Sequence, residues 1–180
     1  MDPNLRTTLF YTLSTVAQTL AGAMGLLGAI VLFALQGTAK SIEQAVKRMI
    51  RSPHGPSNQV ALRHLYRRHS FQELAKLYAA HFDRGSTHAE INLDLMEQYA
   101  TFSWFLDHDR LLRQSFLRAL ITTGVVVSVS LIGIAFVPQL ELHARVVQGL
   151  LVVVTVGAIV CLVQYGLLLR LMLATAPEKR

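Results

Sequence analysis

Three long apolar stretches, Leu9–Gln36, Gln114–Val137 and Val146–Ala174, constrain this chain more than any other feature. Each has the roughly 20 mostly apolar residues that a helix needs to cross the hydrocarbon core of a bilayer. Inside that core no water satisfies a bare peptide group, so a spanning segment must close its own hydrogen bonds as a helix. The expected fold is an all-α integral membrane protein with three transmembrane helices. The charged segment 37–113 separates the first stretch from the second. It reads as a cytoplasmic helical bundle, formed by extensions of the first two spans plus two short helices. The expected order is an external N-terminus and first span (1–36), the bundle (37–113), the second span (114–137) and a short external turn (138–145). A third span (146–174) and a cytoplasmic tail (175–180) complete it.

Charge placement sets the orientation. Of the 17 Lys and Arg residues, only Arg6 and Arg145 fall on the N-terminal side of the expected membrane. Lys40, Lys47, Arg48, Arg51, Arg63, Arg67 and Arg68 lie in the bundle segment, with more at Lys76, Arg84, Arg110 and Arg113. Positive residues are retained on the cytoplasmic side, so the bundle and C-terminus are expected inside and the N-terminus outside. A plasma membrane, the bacterial inner membrane, fits this pattern. Arg118 and Arg170 enter the spans only near their ends, where a guanidinium snorkels to the headgroups. The net charge of +6 follows from the same bias and from attraction to anionic lipid, so no nucleic-acid partner is expected.

The first stretch reads as a span and not as a cleaved leader. It follows Met1-Asp2-Pro3 without a basic n-region, and it is about twice the length of a leader's apolar core. No lipidation motif is present. The single cysteine, Cys161, sits deep in the third stretch and allows no intrachain disulfide.

Within 37–113, local signals outline the helices. The first span is expected to continue through Gly37 to Arg51, with Ile42, Ala45, Val46, Met49 and Ile50 on one apolar face. Ser52-Pro53-His54-Gly55-Pro56 breaks it. A helix over 58–69 follows. Ser70-Phe71-Gln72-Glu73 has the spacing of a capping box and opens a helix to Phe82, closed by Asp83-Arg84-Gly85. Thr87-His88-Ala89-Glu90 is a second such box. No proline interrupts the chain from there to Pro138, which predicts one helix from Thr87 to Val137, about 75 Å long. Its stripe of Ile91, Leu95, Tyr99, Phe102 and Leu106 needs a packing partner, which the three preceding amphipathic segments supply. Residues 37–76 carry eight basic and two acidic side chains, whereas 83–109 carry one basic and six acidic ones. The two halves are expected to attract each other weakly.

The first span holds the most suggestive chemistry. Thr8, Thr12, Thr15, Thr19 and Gly22 recur at helical spacing, flanked by Tyr11, Ser14 and Gln18. Ala21, Gly25 and Ala29 repeat every four residues beside them, a small-xxx-small pattern that allows close helix approach. The polar stripe has two readings. Its hydroxyls and amide bond across a tight helix interface, or several copies ring an axis and the stripe lines an aqueous pore. The stripe carries no charge, so the sign of a conducted ion is open.

Other constellations are weaker. Gln148, Thr155, Gln164 and Tyr165 in the third span read as bridges to neighbouring helices. His81, Asp83, His88 and Glu90 cluster around one junction, and Glu90, Asp94 and Glu97 share a face. None has the spacing of a strong zinc site, so no metal or other cofactor is expected. Phosphate-binding loops, nucleophile elbows and zinc-protease motifs are missing, so the chain is not read as an enzyme.

The expected function is a homo-oligomeric ion channel with Thr8, Thr12, Thr15, Gln18, Thr19 and Gly22 lining the pore. Ala21, Gly25 and Ala29 pack helices, and the bundle forms a vestibule or gate. The alternative is a non-conducting scaffold, accessory subunit or sensor that docks a partner protein through the bundle. Arg63, Arg67 and Arg68 are then the contacts to that partner or to membrane lipids.

Overall fold

The computed structural model describes residues 3–51, 59–85, 93–140 and 144–173, with Arg68–Ser70 joining two helices. Five helices account for them: α1 (Pro3–Arg51), α2 (Gln59–Arg67), α3 (Phe71–Gly85), α4 (Leu93–Leu140) and α5 (Ala144–Leu173). Among the described residues there is no strand. Helices α1, α4 and α5 are each long and apolar enough to cross a membrane.

The chain divides into two compact units. The first combines Met1–Phe33 with Leu112–Leu173. Leu9 and Leu13 of α1 are buried there with Val147 and Val154 of α5, and Val129 and Ile134 of α4 pack against them. The rest of this unit's surface is greasy. Leu26 is 66% exposed, Phe33 79% and Val152 61%. Water solvates such an exterior poorly and acyl chains solvate it well.

The second unit contains Ala34–Leu111. Its core joins Ile42, Val46 and Met49 of α1, Leu62 of α2, Leu74 and Tyr78 of α3, and Leu95 and Phe102 of α4. Apolar residues of all four helices meet in this one core, whereas Val60, expected on the apolar face of α2, is 81% exposed. Ala45 and Ile50 pack at its margin, with Tyr99 and Leu106. Ile91 and the second capping box, residues 87–90, lie outside the described residues.

The α2–α3 junction uses an uncommon residue for a common turn. His69 has a φ of 53°, the left-handed region usually left to glycine. Its amide donates to the Tyr66 carbonyl at 3.0 Å, and the Ser70 amide donates to the Leu65 carbonyl at 3.0 Å. This crossed pair satisfies the last carbonyls of α2 as a Schellman motif. The Leu74 amide then donates to the Ser70 carbonyl at 3.1 Å, which opens α3. The reversal therefore takes only Arg68, His69 and Ser70.

Helix ends differ from expectation in two places. α3 runs on through Asp83-Arg84-Gly85, and α4 passes through Pro138 to Leu140. A proline removes one amide donor, and a helix that is about to end can complete its last turn without it. Gly37 does not interrupt α1.

Candidate functional site

The polar stripe lies on the side of α1 that its own unit leaves uncovered. Leu9, Leu13, Ala17, Leu20, Leu27 and Val31 are buried and line one face of the helix. Thr8, Thr12, Thr15, Gln18, Thr19 and Gly22 are all exposed on the other side. The arrangement follows from the 3.6-residue period, which turns the threonines away from the leucines. Ala21, Gly25 and Ala29 are exposed too. A methyl group added at Gly22 or Gly25 would meet nothing within 4 Å.

Hydrogen bonding along the stripe is uneven. The Thr12 hydroxyl donates to the Thr8 carbonyl at 2.8 Å, the usual way a threonine satisfies itself in an apolar helix. Gln18 has one long contact, Nε2 to the Ser14 Oγ at 3.4 Å. Its amide carries two donor hydrogens and a carbonyl oxygen, so most of its capacity is unused. A glutamine has no carbonyl of its own helix turn to fold back on as neatly as a threonine does. Gln18 therefore needs water or another helix.

A second polar cluster lies inside the first unit, where α4 meets α5. The Thr123 and Tyr165 hydroxyls are 2.6 Å apart, and the Thr123 hydroxyl lies 3.7 Å from the Cys161 Sγ. Thr123 also bonds back to the Ala119 carbonyl at 2.7 Å. Ser130, fully buried, bonds back to the Val126 carbonyl at 2.9 Å. Every hydroxyl here has a partner, so the cluster is a clasp between two helices. The Gln164 Oε1 nearby in sequence is buried without a hydrogen-bond partner among the described residues.

Glycines on α4 and α5 make the close approaches within this unit. A Cβ at Gly157 would fall 2.7 Å from the Val126 Cγ2, and one at Gly133 would fall 2.9 Å from the Leu150 Cδ2. The stripe on α1 that sequence spacing singles out for packing is thus open within one protomer, while the glycines in use stand alone in sequence. Gly28 is intermediate, with the Phe116 Cζ at 3.7 Å from an added Cβ.

In the second unit, Arg63, Arg67 and Arg68 are exposed. α2 turns Leu62 into the core and Arg63 and Arg67 out of it. Tyr66 links α2 to α1, its hydroxyl donating to the Glu43 Oε1 at 2.9 Å. Lys47 pairs with the same oxygen at 2.7 Å. Tyr78 sits at the centre, fully buried and stacked on Tyr99 with ring centroids 6.5 Å apart. Its hydroxyl is buried with no hydrogen-bond partner among the described residues. Loss of hydration pushes its pKa up to about 12.

A groove of about 380 Å³ lies at the start of α3, lined by His69, Ser70, Phe71, Gln72, Glu73, Leu106 and Asp109. The positive end of the α3 dipole opens into it, but Glu73 and Asp109 already stand there, so it does not favour an anion. Among the described residues no three His, Cys, Asp or Glu side chains group as metal ligands. His88 and Glu90 of the junction cluster lie outside the described residues.

Among the described residues, the α1 stripe is the polar line that the protomer leaves exposed. No family model, no curated protein and no solved structure matches this chain.

Proposed function

We propose that this chain is a multi-pass membrane protein that assembles into a homo-oligomeric ion channel, with α1 lining the pore. The observation that carries the reading is Gln18, exposed on an apolar helix with its amide mostly unsatisfied. An unsatisfied polar group facing hydrocarbon costs several kcal/mol, so the side chain does not face acyl chains. Ringed copies of α1 give it water on one side. Thr8, Thr12, Thr15 and Thr19 continue that wetted line, and Gly22 extends it. Ala21, Gly25 and Ala29, beside the line and uncovered, supply the close contact between adjacent copies. Closed cyclic symmetry satisfies both stripes at once.

In this reading the N-terminus is outside, the second unit is cytoplasmic, and the membrane is a bacterial inner membrane. The second unit forms the vestibule or gate.

The test is ion flux through the purified full-length protein in liposomes. Wild type should conduct, and Gln18→Leu and Thr15→Val should change the flux without changing the amount reconstituted. Absence of flux across varied pH, voltage and calcium would sink the reading and favour the scaffold that docks a partner. Gly25→Ala adds a structural arm. The methyl is harmless within one protomer, so a shift towards smaller species on crosslinking would locate the contact between copies at this stripe.

A further inference from the structure

We propose that the basic faces of α1 and α2 in the second unit bind the anionic headgroups of a lipid surface. The proposal is independent of conduction. It begins with how the cations are displayed. On α1, Lys40, Lys47 and Arg51 follow at intervals of seven and four, so they share one side of the helix. Arg48 is next to them, and all four are exposed. Ile42, Val46 and Met49 take the opposite side into the core. On α2, Arg63 and Arg67 share the outer face with His64, and Arg68 follows in the turn. Leu62 and Leu65 occupy the inner face.

The two basic faces adjoin one link. Tyr66 of α2 reaches Glu43 of α1, and Lys47 pairs with that same carboxylate. Arg63 lies one turn before Tyr66 on the same side of α2. The link consumes the charge of Lys47 only. Lys40, Arg48, Arg51, Arg63, Arg67 and Arg68 meet no carboxylate among the described residues. This many exposed cations on neighbouring faces repel one another, and an anionic surface relieves that repulsion.

Two features favour lipid as the occupant. The basic stretch follows Gln36 in the same helix, α1, whose apolar part is long enough to cross a membrane. Clusters of four to eight cations beside a span are the usual signature of anionic-lipid contact. Arginines also match phosphate with paired donors, which lysine lacks. The apolar face of α2 is already committed to the core, so contact is electrostatic and does not require insertion.

The experiment uses full-length protein in phosphatidylcholine vesicles with trace spin-labelled lipid. The immobilised fraction of labelled phosphatidylglycerol is compared with that of labelled phosphatidylcholine. Wild type should prefer phosphatidylglycerol, and 1 M salt should remove the preference because the screening length falls to about 3 Å. Arg63→Gln, Arg67→Gln and Arg68→Gln should lower the relative association at the sites they serve by about fivefold for each cation removed, the equivalent of about 1 kcal/mol per cation. The three Arg→Lys replacements should keep the salt-sensitive part of the preference and lose the part due to paired donors. Circular dichroism checks that the variants retain wild-type helix content. Equal immobilisation of both lipids by wild type would overturn the proposal. So would a preference that survives high salt, or one unchanged in both the α2 variant and a Lys40→Gln, Arg48→Gln, Arg51→Gln variant.

Discussion

Tyr78→Phe should make the second unit more stable. The phenol is fully buried against Tyr99, and its hydroxyl has no hydrogen-bond partner among the described residues. A buried polar group left unpaired costs about 1–3 kcal/mol relative to its hydrated state in the unfolded chain. Phenylalanine keeps the ring, its burial and its stacking, and removes only that group. The expected gain is about 1–2 kcal/mol. Alkaline titration tests the same burial independently. The folded pKa is about 12, against an ordinary tyrosine value near 10. Below pH 10 both states hold the proton and stability is unaffected by this group. Between pH 10 and 12 the unfolded chain ionises first, so stability falls. Above pH 12 both states are ionised and the loss stops, at a total of about 2–3 kcal/mol. The variant should lack this decline. Trp104, the single tryptophan, lies on α4 within this unit and reports its unfolding by fluorescence. The difference in tyrosinate absorbance between wild type and variant isolates Tyr78 among five tyrosines. A variant less stable by 1 kcal/mol or more, or a Tyr78 titration near pH 10, would refute the reasoning, since either requires a hydroxyl that is partnered or hydrated.

Two further substitutions probe the helix contacts. Gly157→Ala puts a methyl 2.7 Å from the Val126 Cγ2, on a β-branched side chain with one favoured helix rotamer. It should cost about 1–3 kcal/mol in thermal unfolding, and Val126→Ala in the same chain should restore most of that. Failure of the rescue would mean that the helices yield elsewhere. At the α2–α3 turn, His69→Ala keeps the left-handed conformation and loses the edge contact with Phe71, whose ring centroid is 5.6 Å away. It should be about 1 kcal/mol less stable than wild type, while His69→Gly, which also relieves the backbone, should stay near it. Equal stabilities for the alanine and glycine variants would show that the backbone carries no strain there.

The same periodicity argument succeeds for some elements and fails for others, and the physics separates them. The core of the second unit was legible because its helices bury one face and wet the other. Val46, Met49, Leu62, Leu74 and Phe102 then stand out against Lys47, Arg63 and Lys76. That contrast disappears in α4 and α5 beyond Leu112, where buried Val126 and exposed Val125 are the same residue. Hydrophobicity ranks nothing when lipid-facing and protein-facing side chains are both apolar, so the polar and small residues become the only marks. Thr123 and Ser130 were such marks, and both are buried where α4 packs, yet sequence reasoning passed over them for the denser stripe on α1. Gly133 and Gly157 escaped for a related reason. Each makes its close approach to a bulky Leu150 or Val126 and not to another small residue, so no repeat announces it. The α1 stripe is the reverse case, conspicuous in sequence and exposed on the helix surface. In the proposed channel, neighbouring copies of α1 and water in the pore would cover that open pattern. The proposed assembly would give Gln18 water in a pore and Gly25 a second copy of α1. Crosslinking of Gly25→Ala therefore bears on the whole reading before any current is measured. An oligomer that ignores the added methyl would put the contact elsewhere and count against α1 as the pore-lining helix.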